Sequence, residues 1–204
     1  MSNPDKERAI AYARERLERE LSPALCYHDL SHTFDEVLPA ALLLAEKHNL
    51  GEEETGLVAV AAAFHDIGWI QEEEPHEEFG ARIVHNMLPG FGFSPQQVER
   101  IAGMILAKRV PQSPHNLLEE ILVDADMAVL GGEEFWRRSE HLRVESGIKD
   151  DLASLREWLS RQLDFLETHQ YCTAAASDLC GIQKEKNSAA LRERLAELDV
   201  DGLS

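Results

Sequence analysis

Three segments of this chain carry side chains that can hold metals or move protons, and each lies against something apolar or against another such side chain. His28 and His32 are four residues apart, so a helix through them would put both on one face. His65 and Asp66 are adjacent and directly follow the apolar run Leu57 to Phe64. Asp124 and Asp126 follow a second apolar run, Ile121-Leu122-Val123. An ionisable group buried without a partner costs several kcal/mol, so such groups at the edge of a core need a reason. Neutral imidazoles and ionised carboxylates together suit manganese, iron, cobalt, nickel or zinc rather than calcium. Taken singly, each residue has an ordinary explanation: a surface or hydrogen-bonded His, an Asp capping a helix. The order His, then His-Asp, then Asp along one chain is what favours a shared site.

The elements that must position these residues read as helices. Asn3-Pro4 is a good helix start, and that helix runs to about Leu21, where Ser22-Pro23 breaks it. A second helix begins near Ser31, its apolar stripe made by Val37, Leu38, Ala41, Leu42 and Ala45, and Asn49-Leu50-Gly51 ends it. The third, about Glu52 to His65, is apolar nearly all round and is expected at the centre, with Gly68 just past its end. A Glu-rich loop from Gln71 to Pro75 leads to a helix from about His76 to Leu88, and the turn Pro89-Gly90-Phe91-Gly92 follows. Ser94-Pro95 starts another helix that reaches about Ala107. Leu117 to Leu130 reads as helical with a break near Asp124, and Gly131-Gly132 closes it. Helices over about Glu133 to Val144, Asp151 to His169 and Lys184 to Leu198 complete the chain. Alternating apolar and polar positions never run long enough for a strand. The expectation is one all-α domain with short loops.

Composition narrows the partners. The formal charge is −18 over 204 residues, which argues against a nucleic-acid backbone or an anionic membrane as a non-specific partner. The hydrophobic fraction of 44% is ordinary for a globular chain. Cys26, Cys172 and Cys180 form no close-spaced pair, and free thiols in a reducing cytoplasm are the simpler reading. Met1 to Glu20 is charged and lacks an apolar signal core, and Leu57 to Phe64 is too short to span a bilayer, so a cytoplasmic protein is expected. The oligomeric state stays open, a homodimer included.

Three strings carry a family resemblance: Tyr27-His28-Asp29-Leu30-Ser31-His32, Phe64-His65-Asp66-Ile67-Gly68 and Val123-Asp124-Ala125-Asp126. They resemble the successive motifs of the HD superfamily of metal-dependent phosphohydrolases, over about Leu25 to Leu130, and the C-terminal half is similar to that of small stand-alone bacterial members. The resemblance implies a helical bundle of the HD-domain, phosphodiesterase-like type, with a metal-binding core over about 22–132 and C-terminal helices over 133–204 packing on it. The matching ligands are His32, His65, Asp66 and Asp126, for one or two ions of Mn, Fe, Co, Ni or Zn. In such proteins the Asp of the His-Asp pair often bridges two metals, and a His at the place of His76 adds a ligand to the second. Asp124 matches a less constrained position and reads as a helix cap or a residue supporting the ligands.

The same resemblance suggests roles around the metal. His28 lies where some relatives place a general acid for the leaving oxygen; the alternative is a packing His that orients His32. Arg109 falls where a Lys is common in a subset of these proteins, and Lys108 precedes it. Either can meet a substrate phosphate, or the two are a solvated pair after a helix. Phe135, Trp136, Trp158, Phe165 and Tyr171 read as core, and Arg143 as an ion pair with an acidic neighbour in preference to a substrate contact. Metal-assisted hydrolysis of a nucleotide or related phosphoester is the leading function. A di-iron oxygenase would need further His ligands, and between Val98 and Leu122 only His115 is on offer. A sensor that binds metal or nucleotide without turnover is the third reading.

Overall fold

The structure, a computed structural model, describes residues 4–71 and 75–201. The described residues form helices and no strands, in the order α1 (Lys6–Glu20), α2 (Leu38–Lys47), α3 (Glu52–Phe64), α4 (His76–Met87), α5 (Pro95–Ala107), α6 (Leu117–Asp126), α7 (Phe135–Glu145), α8 (Leu152–Thr168) and α9 (Ala174–Asp201). The chain divides into two compact units, one ending at Asp126 and the other beginning at Met127.

In the first unit α3 is the axis. It packs against α1, α2, α5 and α6, and every residue from Gly56 to Phe64 is buried. A helix enclosed on all sides has no solvent face to keep polar, which is why its apolar stretch shows little amphipathic period. Its only charged turn is the first, Glu52 to Glu54, where carboxylates favour the positive end of the helix dipole. The end of α2 is a Schellman motif: Asn49 turns left-handed (φ 54°), its N–H donates to the Glu46 carbonyl, and the Leu50 N–H donates to the Ala45 carbonyl. The start of α5 is a capping box, with Ser94 Oγ accepting from the Gln97 N–H and the Gln97 side chain accepting from the Ser94 N–H.

Several boundaries differ from the sequence expectation. Asn3 lies outside the described residues, and Asp5 caps α1 by accepting from the Arg8 N–H. Glu72, Glu73 and Glu74 of the acidic loop are also outside them. The helix after Ser31 opens as a π-helical turn, His32–Val37, before becoming α-helical at Leu38. The helix from Leu117 breaks after Asp126, not near Asp124, and continues as a 3-10 turn, Met127–Gly131. Asp124 is therefore not a cap; it is buried within the last turn of α6.

The second unit closes around Leu130, Phe135, Trp158, Leu159, Leu166, Leu191 and Leu198. Its last helix starts ten residues before the expected Lys184, because Thr173 caps it through Oγ1 to the Ala176 N–H and Ala176 is buried. Gly131 is needed here: a Cβ on it would meet the Cys180 carbonyl oxygen at 2.3 Å. Asn187 is buried and donates to the Leu130 and Gly132 carbonyls, which fixes the 3-10 turn against α9. Phe135 and Trp158 are core as expected, but Trp136 and Phe165 are exposed. Arg143 pairs with Glu140 at 2.7 Å, the acidic neighbour anticipated for it. None of the three cysteines forms a disulfide. No described helix is long and apolar enough to cross a membrane.

Phe64 is fully buried and stacks on Tyr12 at 6.2 Å between ring centroids. Phe64→Ala removes that contact and leaves a cavity at the end of the central helix, and is expected to destabilise the fold by about 3–5 kcal/mol. Chemical denaturation of the variant against the parent measures it.

Candidate metal centre

Three chain ends deliver the ionisable groups to one place. The C-terminus of α3 hands over His65, still helical, and Asp66, which leaves the helix at φ −112°. The negative end of a helix dipole at this point favours a cation. The π-helical turn presents His32, and Asp29 sets its start: Asp29 Oδ1 accepts from the His32 N–H at 2.7 Å. Extra residues in a helical turn re-aim a side chain, and such turns are frequent at functional sites. The last residue of α6 supplies Asp126.

The ligand-type atoms converge. One nitrogen or oxygen each from His32, His65 and Asp66 lie within 4.8 Å of one another, and all three residues are buried. His32 Nε2 is 3.1 Å from Asp126 Oδ1 and 3.7 Å from Asp66 Oδ2. His65 Nε2 is 3.0 Å from Asp66 Oδ2 and 3.6 Å from Asp126 Oδ1. His65 Nδ1 lies 2.7 Å from the Ala62 carbonyl oxygen, which can only accept, so Nδ1 carries the proton and Nε2 turns a lone pair to the centre. His32 Nδ1 faces Glu36 at 3.4 Å in the same supporting manner.

Two of these atoms, His65 Nε2 and Asp66 Oδ2, are buried and have no hydrogen-bond partner. A lone pair and a carboxylate oxygen shut away from water and facing each other are what a cation would satisfy. The residues present therefore fit a divalent transition metal held by His32, His65, Asp66 and Asp126.

Charge compensation shows in the proton affinities. Burial opposes a charge on His32, but hydrogen bonds to Asp126 and Glu36 outweigh it and raise its pKa to about 9. Burial lowers His65, which keeps its ring neutral. Burial would raise Asp66 and Asp126; the contact with His65 and the positive charge of Lys108 hold Asp66 far below the usual carboxylate range, and Lys108 and His32 do the same for Asp126. Lys108 is buried, which alone would lower its pKa, yet Asp126 and Asp66 keep it raised. Its Nζ donates to Asp66 Oδ1 at 3.0 Å and sits 3.3 Å from Asp126 Oδ2.

The two basic residues expected near a phosphate thus part company. Lys108 is inside the cluster, whereas Arg109 is 63% exposed and pairs with Glu78 at 2.6 Å. His76 reaches the edge of the cluster, its Nε2 3.9 Å from Asp66 Oδ1 and 3.4 Å from Glu77 Oε1, and burial lowers its pKa. His28 lies before the helix and not within it, so the shared helical face expected with His32 does not form; their rings are nonetheless 6.2 Å apart. His115 is exposed on the loop before α6, its backbone N–H bonded to Glu119, and takes no part in the cluster.

Trp69 is a member of the site that its sequence position did not announce. His28 stacks on its indole at 4.3 Å and His76 at 4.5 Å, while His28 and His76 are 6.3 Å apart. Both imidazoles therefore pack against the Trp69 indole. Gly68 permits this turn for a reason other than a left-handed cap: its φ is not positive, and a Cβ there would meet the His76 carbonyl oxygen at 1.8 Å.

Residues 29–127 match the HD domain family, and the chain is an HD-domain protein. Its fold is similar to the crystal structure of a predicted HD superfamily hydrolase from an uncultured Thermotogales bacterium, with a TM-score of 0.61 and 24% identity, covering 95% of this chain and 93% of that chain. It is also similar to the crystal structure of Bacillus subtilis YpgQ in complex with ADP, with a TM-score of 0.66 and 20% identity, covering 95% of this chain and 96% of that one. No curated protein sequence matches.

Gly68→Ala forces backbone apart at the Gly68–His76 approach, and a loss of about 3 kcal/mol is expected by thermal or chemical unfolding. Lys108→Ala strips a buried ammonium from two carboxylates and should cost about 3–5 kcal/mol without added metal. Arg109→Ala, removing an exposed pair, should cost no more than about 1 kcal/mol. Equal losses in Lys108→Ala and Arg109→Ala would contradict the division between these two residues.

Proposed function

We propose that this HD-domain protein hydrolyses a phosphate ester, a nucleotide or a related small phosphoester, with a divalent transition metal held by His32, His65, Asp66 and Asp126. The observation that carries the reading is the pair of buried atoms without partners, His65 Nε2 and Asp66 Oδ2, set among the nitrogen and oxygen donors of His32 and Asp126. A metal in that donor set supplies Lewis acidity toward a phosphoryl oxygen and lowers the pKa of water.

The remaining work falls to the chain's own groups. The Ala62 carbonyl and Glu36 orient His65 and His32 from behind, so that each Nε2 is turned inward. Lys108 spends two N–H groups on Asp66 and Asp126 and keeps a third for a phosphoryl oxygen. Its charge and the surrounding burial favour the negative charge that builds up on phosphorus-bound oxygens. His28, half-buried against Trp69 beside the cluster, would donate a proton to the leaving oxygen. The substrate class rests on the family and on the similar fold of YpgQ, which holds ADP. Arg109, paired at the surface, has no assigned role.

The test is a phosphoester panel that includes nucleoside mono-, di- and triphosphates, with Mn, Co, Ni or Zn added singly to chelator-treated protein. Turnover by the parent is expected with at least one metal, and Asp66→Ala should abolish it. The parent should also gain about 2.7 kcal/mol of stability with free metal at roughly 100 times its dissociation constant, a gain the variant lacks. Full turnover by Asp66→Ala would sink the proposal. Nucleotide binding by the parent without turnover under every metal would leave a binding module in place of an enzyme.

A further inference from the structure

The two carboxylates of the site are each divided. Asp66 Oδ2 and Asp126 Oδ1 face the imidazole nitrogens, at 3.0–3.7 Å. Asp66 Oδ1 and Asp126 Oδ2 face Lys108 Nζ, at 3.0 and 3.3 Å. Both carboxylates therefore bridge two positions: one among the nitrogen donors, where a metal fits, and one filled by an ammonium. A bridging pair of this kind is how two cations are commonly held side by side in two-metal sites. Here the second cation is covalently part of the chain.

The position matters because His76 addresses the same oxygen. Its Nε2 is 3.9 Å from Asp66 Oδ1, a gap that two metal–ligand bonds of about 2 Å would close. A second ion held by His76 would need Asp66 Oδ1, which already accepts from Lys108, and would have to sit near a fixed positive charge. Lys108 is 5% exposed, so it cannot swing into solvent without opening the packing around it. His76 meanwhile has another contact, stacking on Trp69 at 4.5 Å.

We propose that Lys108 takes the place of a second metal: its ammonium, bridging Asp66 and Asp126, limits the chain to one divalent ion and keeps His76 out of the ligand set. This rests on the metal site proposed above. It replaces the two-ion arrangement that His76 suggests in the sequence. It also makes Lys108 a charge that cannot be lost to a chelator, so a fixed positive charge persists in the metal-free chain.

Metal counting tests it. The full chain is stripped, equilibrated with excess Mn²⁺, and assayed for bound ions by elemental analysis, with electron paramagnetic resonance to detect a spin-coupled manganese pair. The parent should bind one uncoupled ion per chain, and His76→Ala should still bind one with affinity within about threefold of the parent. Lys108→Met and Lys108→Ala should bind two, coupled, and Lys108→Met/His76→Ala should return to one. Circular dichroism in Mn²⁺ checks that each variant is folded; if neither Lys108 variant folds, the parent count and the His76→Ala count decide. Two coupled ions in the parent, a large loss of affinity in His76→Ala, or one ion in folded Lys108 variants would each overturn the proposal while leaving the metal site intact. No bound ion in the parent would remove the metal site itself, and this inference with it.

Discussion

Asp66 and Asp126 bring two negative charges to a place almost closed to water, and the surrounding structure is arranged around that fact. An isolated buried carboxylate is costly enough that it protonates or the fold fails. Here His32 and Lys108 answer the charge, and each is itself buried. The arrangement holds only if all four stand together, since removing one partner of a buried ion pair costs more than the pair gains. The constraint explains why Lys108 is folded inward against the usual habit of lysine, and why Glu36 supports His32 from behind.

Helix ends do the positioning. α3 is apolar from Gly56 to Phe64, where it is enclosed by α1, α2, α5 and α6, so polar residues appear only at its two ends, and His65-Asp66 is the second of them. The turn that follows must double back within a few residues, and Gly68 lets the backbone pass His76 at a distance no side chain would allow. That passage sets Trp69 against His76 and His28. A packing requirement of the central helix thus becomes the geometry of the site: enclosure fixes where the charges emerge, and the tight turn fixes which rings meet beside them.

Much of this was legible from residue types alone. An ionisable pair directly after eight apolar residues, and an Asp after a second apolar run, mark the edges of a core. Such residues must find each other or a ligand. The all-helical class followed from period and caps, and Asn49 and Ser94-Pro95 end and start helices as their chemistry requires. The start of α9 was hidden because its first turns carry Ser177, Asp178 and Gly181, weak helix formers, and only Thr173 signalled the cap. Trp69 was hidden for a different reason. Its stacking partners come from segments before α2 and at the start of α4, and no local spacing connects them.

The choice between Lys108 and Arg109 shows where periodicity stops being informative. Lys108 lies four residues past buried Met104, and Arg109 four past buried Ile105, so the apolar stripe of α5 admits either one facing inward. Both are cations, and guanidinium would make the better two-pronged partner for a carboxylate. What separates them is the space between Asp66 and Asp126. Its two oxygens at 3.0 and 3.3 Å from one nitrogen ask for a compact charge that accepts partners in several directions, which an ammonium is and a planar fork is not. The adjacent Arg109 is left to Glu78 at the surface. Selection between neighbours in the chain was thus made by two carboxylates distant in sequence, and it is their geometry, not the helix that carries the lysine, that gives the site its permanent positive charge.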